Sequence, residues 1–464
     1  MTLDNKILLL YILFGFAIAM LIIFIIKFLD QINNTGNDLE CNLEDDSDLE
    51  HLINIPKINK TVKWNRNKCS YMMNNTLTDV LDENNINKTE DDDWQLYFPC
   101  TYDEIEKEIG MIKVSPTCSD IHDNTNDNYD DDYENIDDTH VHDNDKKFFI
   151  IHDADEITAK NYIWKHLVSY YGRNEAVNYM PRTYILSDTV DVELFDKEYN
   201  KDSIYIMKKN IQRQEGLLIT NKMDDIKGGR NNGYVIVQEL LQDPFLVNNR
   251  KINLRCYILV VCQKGDIACY VHNEGFMYYT KDYFKKNSTE TGPNITTGYI
   301  DRSVYEENPL THGDFRKWLD KKNRKLTEPE KKIQTTNNKI SKIVFNNINI
   351  LLKNVMIAMT GHLCQGEKLK NNTTFQLFGA DVAPNENLES QLIEINKGPD
   401  LSSKDERDGN VKKSVIRDML SVLNVIQQDD SGEFDNSNET KNGFIKLFET
   451  NNNTLINVIG DEES

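Results

Sequence analysis

The segment TFQLFGADVAPNENLESQLIEIN, residues 374–396, constrains this chain more than any other stretch. Two apolar runs, 374–382 and 390–396, flank a polar connection, which predicts a β-hairpin. Asp381 closes the first run. Glu394 and Asn396 stand two apart on the second, where side chains share one face. Three oxygen ligands converging on one point suit Mg²⁺, with water and phosphate oxygens completing an octahedron. Two carboxylates buried on an apolar hairpin without a cation are costly. The trio also fits an edge strand whose polar residues face water, and in isolation the pattern favours that reading.

The residues upstream change the balance. SIYIMKK (203–209) and EGLLIT (215–220) read as two strands around a short polar turn, NIQRQ, with Lys208 placed beside it to meet phosphates. YVIVQELL (234–241) is an apolar strand ending in Gln238, Glu239, Leu240 and Leu241, whose backbone groups can pair with adenine. RKINLRCYILV then sets Lys251 and Arg255 four apart beside a buried strand. Each basic residue alone is an ordinary surface charge. Their order, closing on Asp381 and the Glu-x-Asn pair, is that of an ATP-grasp site.

Together these motifs resemble the tubulin–tyrosine ligase family, which includes the tubulin polyglutamylases and polyglycylases. NYMPRTYIL resembles the segment ahead of that family's nucleotide domain. VIVQELLQDPFLVNNRKINLRCYILV resembles its Q-x-Y-I-x-x-P-L-L and K-F-D-x-R run. FQLFGADV and LIEINKGPDLS resemble its metal hairpin. The match covers roughly residues 94–425. The resemblance implies an α+β chain with an ATP-grasp fold and an additional N-terminal α/β domain. It also implies ATP and Mg²⁺ as cofactors, and transfer of a phosphoryl group to a protein carboxylate, giving an acyl phosphate that an amino acid's amine attacks. Lys208, Arg213 and Lys251 would bind phosphates, and Gln238, Glu239, Leu240 and Leu241 would line the adenine pocket. Asp381, Glu394 and Asn396 would hold magnesium, with Arg255, Lys251 and Glu394 at the reacting groups. The partners implied are tubulin, or another protein with an acidic tail, and a free amino acid (tyrosine, glutamate or glycine).

The chain departs from the family pattern in four places. KKNIQRQEG is shorter than the family's glycine-rich phosphate turn and keeps only Gly216; Arg213 is the residue placed to compensate. Asn253 stands where K-F-D-x-R has Asp. Tyr278 stands three residues past Gly275, where the family carries Arg. NITTG only echoes the family's H-x-T-N, with Asn294 for the His and Thr297 for the Asn.

Outside these motifs, residues 7–26 form an unbroken apolar run bounded by Lys6 and Lys27. About 20 such residues span a bilayer core, and no cleavage site follows. The expectation is a short flank (1–6) and a single membrane anchor (7–29) with the remaining chain facing the cytosol. An acidic, Asn-rich disordered tether (30–92) would follow, leading to the N-terminal part of the ligase domain (93–195) with an acidic loop (120–145). The ATP-grasp region (196–428) and a loose polar tail (429–464) complete the scheme. Helices are expected over 162–171, 341–360 and 411–426. A net charge of −23 argues against a nucleic-acid binder. The eight cysteines include no zinc-spaced pair, and Cys256, Cys262 and Cys269 lie in apolar runs as small buried hydrophobes. A lysine- and arginine-rich stretch over 316–353 reads either as a solvated face or as a dock for an acidic tail or for anionic lipid.

Overall fold

In the computed structural model, the apolar runs around residues 254–262 and 374–382 become two of the longest strands among the described residues. The structure describes residues 61–112, 146–211, 216–334, 339–427 and 440–456, apart from Asn67, Lys68, Ser70, Asp103 and Asn442. Four isolated positions between 53 and 58, and Ile459, are also described. The apolar run at 7–29, the acidic loop at 120–145 and Arg213 lie outside these residues. Among the described residues no helix is long and apolar enough to cross a membrane.

Four short strands come first: β1 (Lys63–Asn65), β2 (Asn87–Lys88), β3 (Leu96–Tyr97) and β4 (Lys147–Phe148). Next, β5 (Thr183–Ile185), β6 (Tyr205–Lys208), β7 (Leu217–Thr220) and β8 (Ile236–Glu239) make an antiparallel sheet in the order β5-β8-β6-β7. The rest are β9 (Leu246–Val247), β10 (Arg250–Gln263), β11 (Asp266–Thr280), β12 (Thr296–Thr297), β13 (Thr373–Pro384), β14 (Ser390–Asn396), β15 (Thr440–Lys441), β16 (Phe444–Asn451) and β17 (Thr454–Ile456). They join β1 to β4 in one larger sheet, with β10 between β11 and β13, and β14 paired to β13.

β10 and β11 form a hairpin because Lys264 and Gly265 both take positive φ, the two-residue turn that matches strand twist. All twelve residues of β13 are buried, so this strand lies inside the core on both faces. The helices Ile340–Ile357 and Glu406–Val422 pack against β11 and β16. The first presents Val344, Ile348, Leu351, Leu352 and Val355, all buried, at helical spacing. The second is capped by Asp405, whose carboxylate accepts the Asp408 N–H at 2.8 Å.

The expected α+β character is present, and the three expected helices and six strands are found within a few residues of their predicted bounds. Four expectations need correction. The stretch assigned to a disordered tether contains β1, β2 and the helix Asn75–Glu83, with Leu77, Val80 and Leu81 buried. Its apolar residues fall at one helical spacing, which the surrounding Asn and Asp obscure. The additional N-terminal α/β domain is not a separate body among the described residues: β3 and β4 extend the large sheet and β5 the small one. The tail returns as β16 on β11, with Phe444, Leu447 and Phe448 fully buried. Of the apolar-run cysteines, Cys256 and Cys269 are buried free thiols, whereas Cys262 is paired with Cys364; Cys69 pairs with Cys100. Those partners are remote in sequence, so spacing carried no sign of them.

Candidate functional site

A cavity of about 690 Å³ opens where the small sheet meets β10, β13 and β14. Lys208, Gln238, Glu239, Leu240, Leu241, Lys251, Arg255, Asp381, Glu394 and Asn396 all line it. The expected site residues that the structure describes therefore converge on one place.

Strand register sets the acidic end. Arg255 of β10 stands opposite Asp381 of β13, and Asp381 stands opposite Glu394 of β14. Arg255 donates from Nε to Asp381 Oδ1 at 2.6 Å and from Nη2 to Oδ2 at 3.2 Å. Asn396 donates through Nδ2 to Glu394 Oε1 and to the Gly379 carbonyl, both at 3.3 Å. That leaves Asn396 Oδ1 as the oxygen for a cation. Burial pushes the Asp381 carboxyl above its ordinary value, against the pull of Arg255. Burial acts on Glu394 in the same direction, but Lys160, Lys208 and Arg255 together outweigh it and hold that carboxyl low. One carboxylate of the pair is thus kept charged at the expense of the other.

Two buried lysines form the cationic end. Lys208, the last residue of β6, donates to Gln238 Oε1 at 2.7 Å and to the Ile393 carbonyl at 3.5 Å. Lys251 reaches the Leu241 carbonyl at 3.4 Å. Burial pulls the Lys208 ammonium down to about 8, against the opposing pull of Glu394. Burial, and then the neighbouring charge of Lys208, pull Lys251 down to about 8 as well. Among the described residues neither lysine has a carboxylate within 4.0 Å.

Gln238 does something the sequence did not suggest. Its side chain is buried, donates to Thr183 Oγ1 at 2.7 Å and holds Lys208 in place. Leu240 belongs with Ile206, Leu217 and Ile295 to one apolar cluster, and all four line the cavity. The Glu239 and Leu240 N–H groups already donate to the Arg182 and Ile204 carbonyls, each at 2.9 Å, so those two amides are not open to a purine edge.

Lys160 is the residue that sequence reasoning missed. It begins the helix Lys160–Tyr171, is buried, and places Nζ 3.9 Å from Glu394 Oε2 and 3.3 Å from the Ile211 carbonyl. It lies far from the hairpin in sequence, and no local pattern marks it.

The departures also gather here. The Tyr278 ring lies 4.9 Å under the Arg255 guanidinium. Gly275 sits at a bulge between β10 and β11, where a Cβ would lie 2.1 Å from the Arg255 carbonyl oxygen. Asn253 Oδ1 and Asn294 Oδ1 are buried among cavity-lining residues and have no hydrogen-bond partner among the described residues. Thr297 lies on β12, paired to Tyr279, and lines the same cavity.

With this geometry in place, the sequence comparisons agree on one family. The Tubulin-tyrosine ligase family model matches residues 138–432. The chain is 22% identical over 282 residues to a probable beta-tubulin polyglutamylase of Tetrahymena thermophila, covering 58% of this chain and 23% of that protein. It is 26% identical over 264 residues to the probable tubulin polyglutamylase ttll-9 of Caenorhabditis elegans, covering 53% and 58%. It is 24% identical over 254 residues to tubulin polyglutamylase TTLL6 of Homo sapiens, covering 53% and 28%. The chain therefore spans less than two thirds of the length of each of these relatives. This chain belongs to the tubulin–tyrosine ligase family.

Proposed function

We propose that the chain is an ATP-dependent ligase that joins glutamate to a side-chain or terminal carboxylate of tubulin. The observation that carries this reading is the convergence of Lys208, Lys251 and Arg255 with Asp381, Glu394 and Asn396 on one cavity. The residues fit a magnesium-bound nucleoside triphosphate. Two buried ammoniums without carboxylate partners answer phosphate charge, and the oxygens of Asp381, Glu394 and Asn396 answer a hard cation. The partnerless Asn253 Oδ1 and Asn294 Oδ1 are acceptors waiting for a polar ligand.

Bound Mg–ATP would supply a phosphoryl group to a carboxylate and leave as ADP, and an amine would then displace inorganic phosphate from the resulting acyl phosphate. The chain's own task is position and charge. Lys208, fixed by Gln238, and Lys251 neutralise phosphate oxygens in a desolvated setting, where charges count most. Arg255, paired with Asp381 and lying over Tyr278, lines the cavity and would serve phosphate or acceptor with the N–H groups that Asp381 does not use. Leu240, Ile206 and Leu217 exclude water from the nucleobase side.

Glutamate, in preference to tyrosine or glycine, is supported by the names of the polyglutamylase relatives. An acidic tubulin tail is supported by the exposed Lys317, Lys321, Lys322, Lys325 and Lys342. The basic stretch is only partly available for docking. Arg316 is tied to the Asn273 carbonyl and Glu274, Arg324 to Glu330, and Lys353 to the Ile459 carbonyl. A single-pass anchor at residues 7–29, with the rest of the chain in the cytosol, completes the proposal. Its support is the apolar run itself, and extraction of the full chain by alkaline carbonate would overturn it.

The test is intact-mass spectrometry of tubulin after incubation with the full chain, Mg–ATP and glutamate, tyrosine or glycine in turn. A glutamate increment that Glu394→Gln abolishes is expected. Nucleotide binding with no increment from any of the three would instead support a nucleotide-binding protein that does not ligate. Asp381 clamped by Arg255, and Tyr278 in place of Arg, favour that second reading.

A further inference from the structure

Outside the cavity, three ligating side chains from separate parts of the chain meet. Glu156 belongs to the 3-10 turn Ala154–Ile157, and His166 to the helix Lys160–Tyr171. His362 ends the 3-10 turn Thr360–His362, which follows the helix Ile340–Ile357. One ligand atom from each lies within 4.8 Å of the other two. His166 Nε2 is 2.6 Å from Glu156 Oε2, and the His166 and His362 rings stack at 3.8 Å with planes inclined by 25°. His166 is 5% exposed, Glu156 is half-buried and His362 faces solvent.

We propose that Glu156, His166 and His362 form a second metal site, selective for a borderline transition-metal dication of the zinc type. Two imidazoles and one carboxylate, with a fourth position open to water, are a donor set that zinc takes and magnesium does not. Burial lowers the His166 imidazole's affinity for a proton, against the pull of Glu156, which favours the neutral form a metal requires. The cation takes the place of the proton shared between His166 Nε2 and Glu156, and the ring's N–H then sits on Nδ1.

Metal–ligand bonds of about 2.0–2.1 Å in a tetrahedron bring ligand atoms to roughly 3.3 Å from one another. The existing spacing is within reach of that, with one adjustment. The nitrogen lone pairs lie in two nearly parallel ring planes, so one ring must turn for both to address one ion. His362 is the ring able to do so, because it is exposed at the end of a single turn, whereas His166 is held in the core.

The site connects to the cavity through its neighbours. Asp155, beside Glu156, pairs with Lys397 at 2.7 Å, just past β14. Lys160, on the same helix as His166, faces Glu394 on β14. A cation at the second site would therefore pin two elements whose adjacent residues reach the hairpin's acidic strand.

The full chain, stripped with chelator and held in excess Mg²⁺, would be titrated with Zn²⁺ alone, and with Co²⁺ to read its visible absorption. One saturable zinc per chain is expected, raising the unfolding midpoint by about 3 °C or more at saturation. His362→Ala, a change at an exposed residue, should leave the metal-free midpoint in place while weakening zinc at least about tenfold. Glu394→Gln should leave zinc binding intact, which separates this site from the cavity. No saturable binding above the magnesium background, or zinc binding unchanged in His362→Ala, would overturn the proposal and leave a hydrogen-bonded histidine with a stacked neighbour.

Discussion

Arg255 and Asp381 stand opposite each other on β10 and β13, joined by two hydrogen bonds of 2.6 and 3.2 Å. The pair is nearly buried, with side chains 12% and 11% exposed. The arginine thus occupies the carboxylate that a magnesium ion at this hairpin would also use. Arg255 and a cation compete for Asp381, and that competition gives the first prediction.

Arg255→Ala should destabilise the chain by about 3–5 kcal/mol, because it strands a buried carboxylate. Asp381→Asn added to it should recover part of the loss, and a double-mutant cycle in urea would measure the coupling. Millimolar Mg²⁺ should restore stability to Arg255→Ala but not to the double variant. Equal magnesium effects on both would show that the ion does not reach Asp381.

The two buried lysines predict how stability and nucleotide binding change with pH. Each ammonium is pulled from 10.5 to about 8 in the folded chain. Below pH 8 both states carry the proton and the penalty for burying it is complete. Between pH 8 and 10.5 the folded chain releases protons that the unfolded chain keeps, so these two groups make stability rise with pH across that window. Triphosphate favours the charged lysines, so its binding takes up protons and its affinity should fall as pH climbs above 8. Calorimetry in two buffers of different ionisation heat would read the proton uptake, and Lys208→Met should remove part of it. Affinity flat from pH 7 to 10 would contradict the assignment of these lysines to phosphate.

How much of this was legible in the sequence depends on range. Glu394 and Asn396 could be placed on one face because their separation is two residues on a strand, and strand geometry does the rest. Lys251 and Arg255 were legible for the same reason. The long strands announced themselves as apolar runs. What stayed hidden was set by contacts between remote residues. The buried role of Gln238, the arrival of Lys160 beside Glu394 and the pairing of Cys262 with Cys364 leave no local trace. The helix Asn75–Glu83 was masked differently, because a short amphipathic element inside an Asn- and Asp-rich stretch carries too few apolar residues to dominate its composition.

Lys160 gives a prediction that sequence reasoning alone would not make. Its ammonium pulls the Glu394 carboxyl down against burial more strongly than Lys208 or Arg255 does. Lys160→Met should raise the proton affinity of Glu394 and weaken its hold on magnesium. Some stability should be lost as well, because Lys160 is buried beside Glu394 and its removal leaves that carboxylate less compensated. The expected outcome is a roughly tenfold rise in the magnesium needed for half-maximal nucleotide binding, with a loss that grows as pH falls. A magnesium requirement unchanged from pH 6 to 8 would remove Lys160 from the site.

The segment before residue 93 should be needed for both folding and the cavity. Trp64, Leu77, Val80, Leu81 and Ile86 are buried against the core, and each such side chain contributes about 1.5–3 kcal/mol. Asp79 and Glu83 bind Lys413 at 2.8 and 3.0 Å, and Arg417 donates to Glu83 at 2.7 Å, fixing the helix Asn75–Glu83 on the helix Glu406–Val422. Asn74 lines the cavity and accepts from Ser402 Oγ at 2.8 Å. A chain beginning at residue 93 should therefore aggregate or bind a dye for exposed apolar surface, while one beginning at residue 53 should unfold cooperatively. Leu81→Asp in the longer chain should reproduce the defect of the shorter one, because it buries an unpaired charge at the same contact. Cooperative unfolding and unaltered nucleotide affinity in the chain from residue 93 would show that this segment is an appendage and not part of the core.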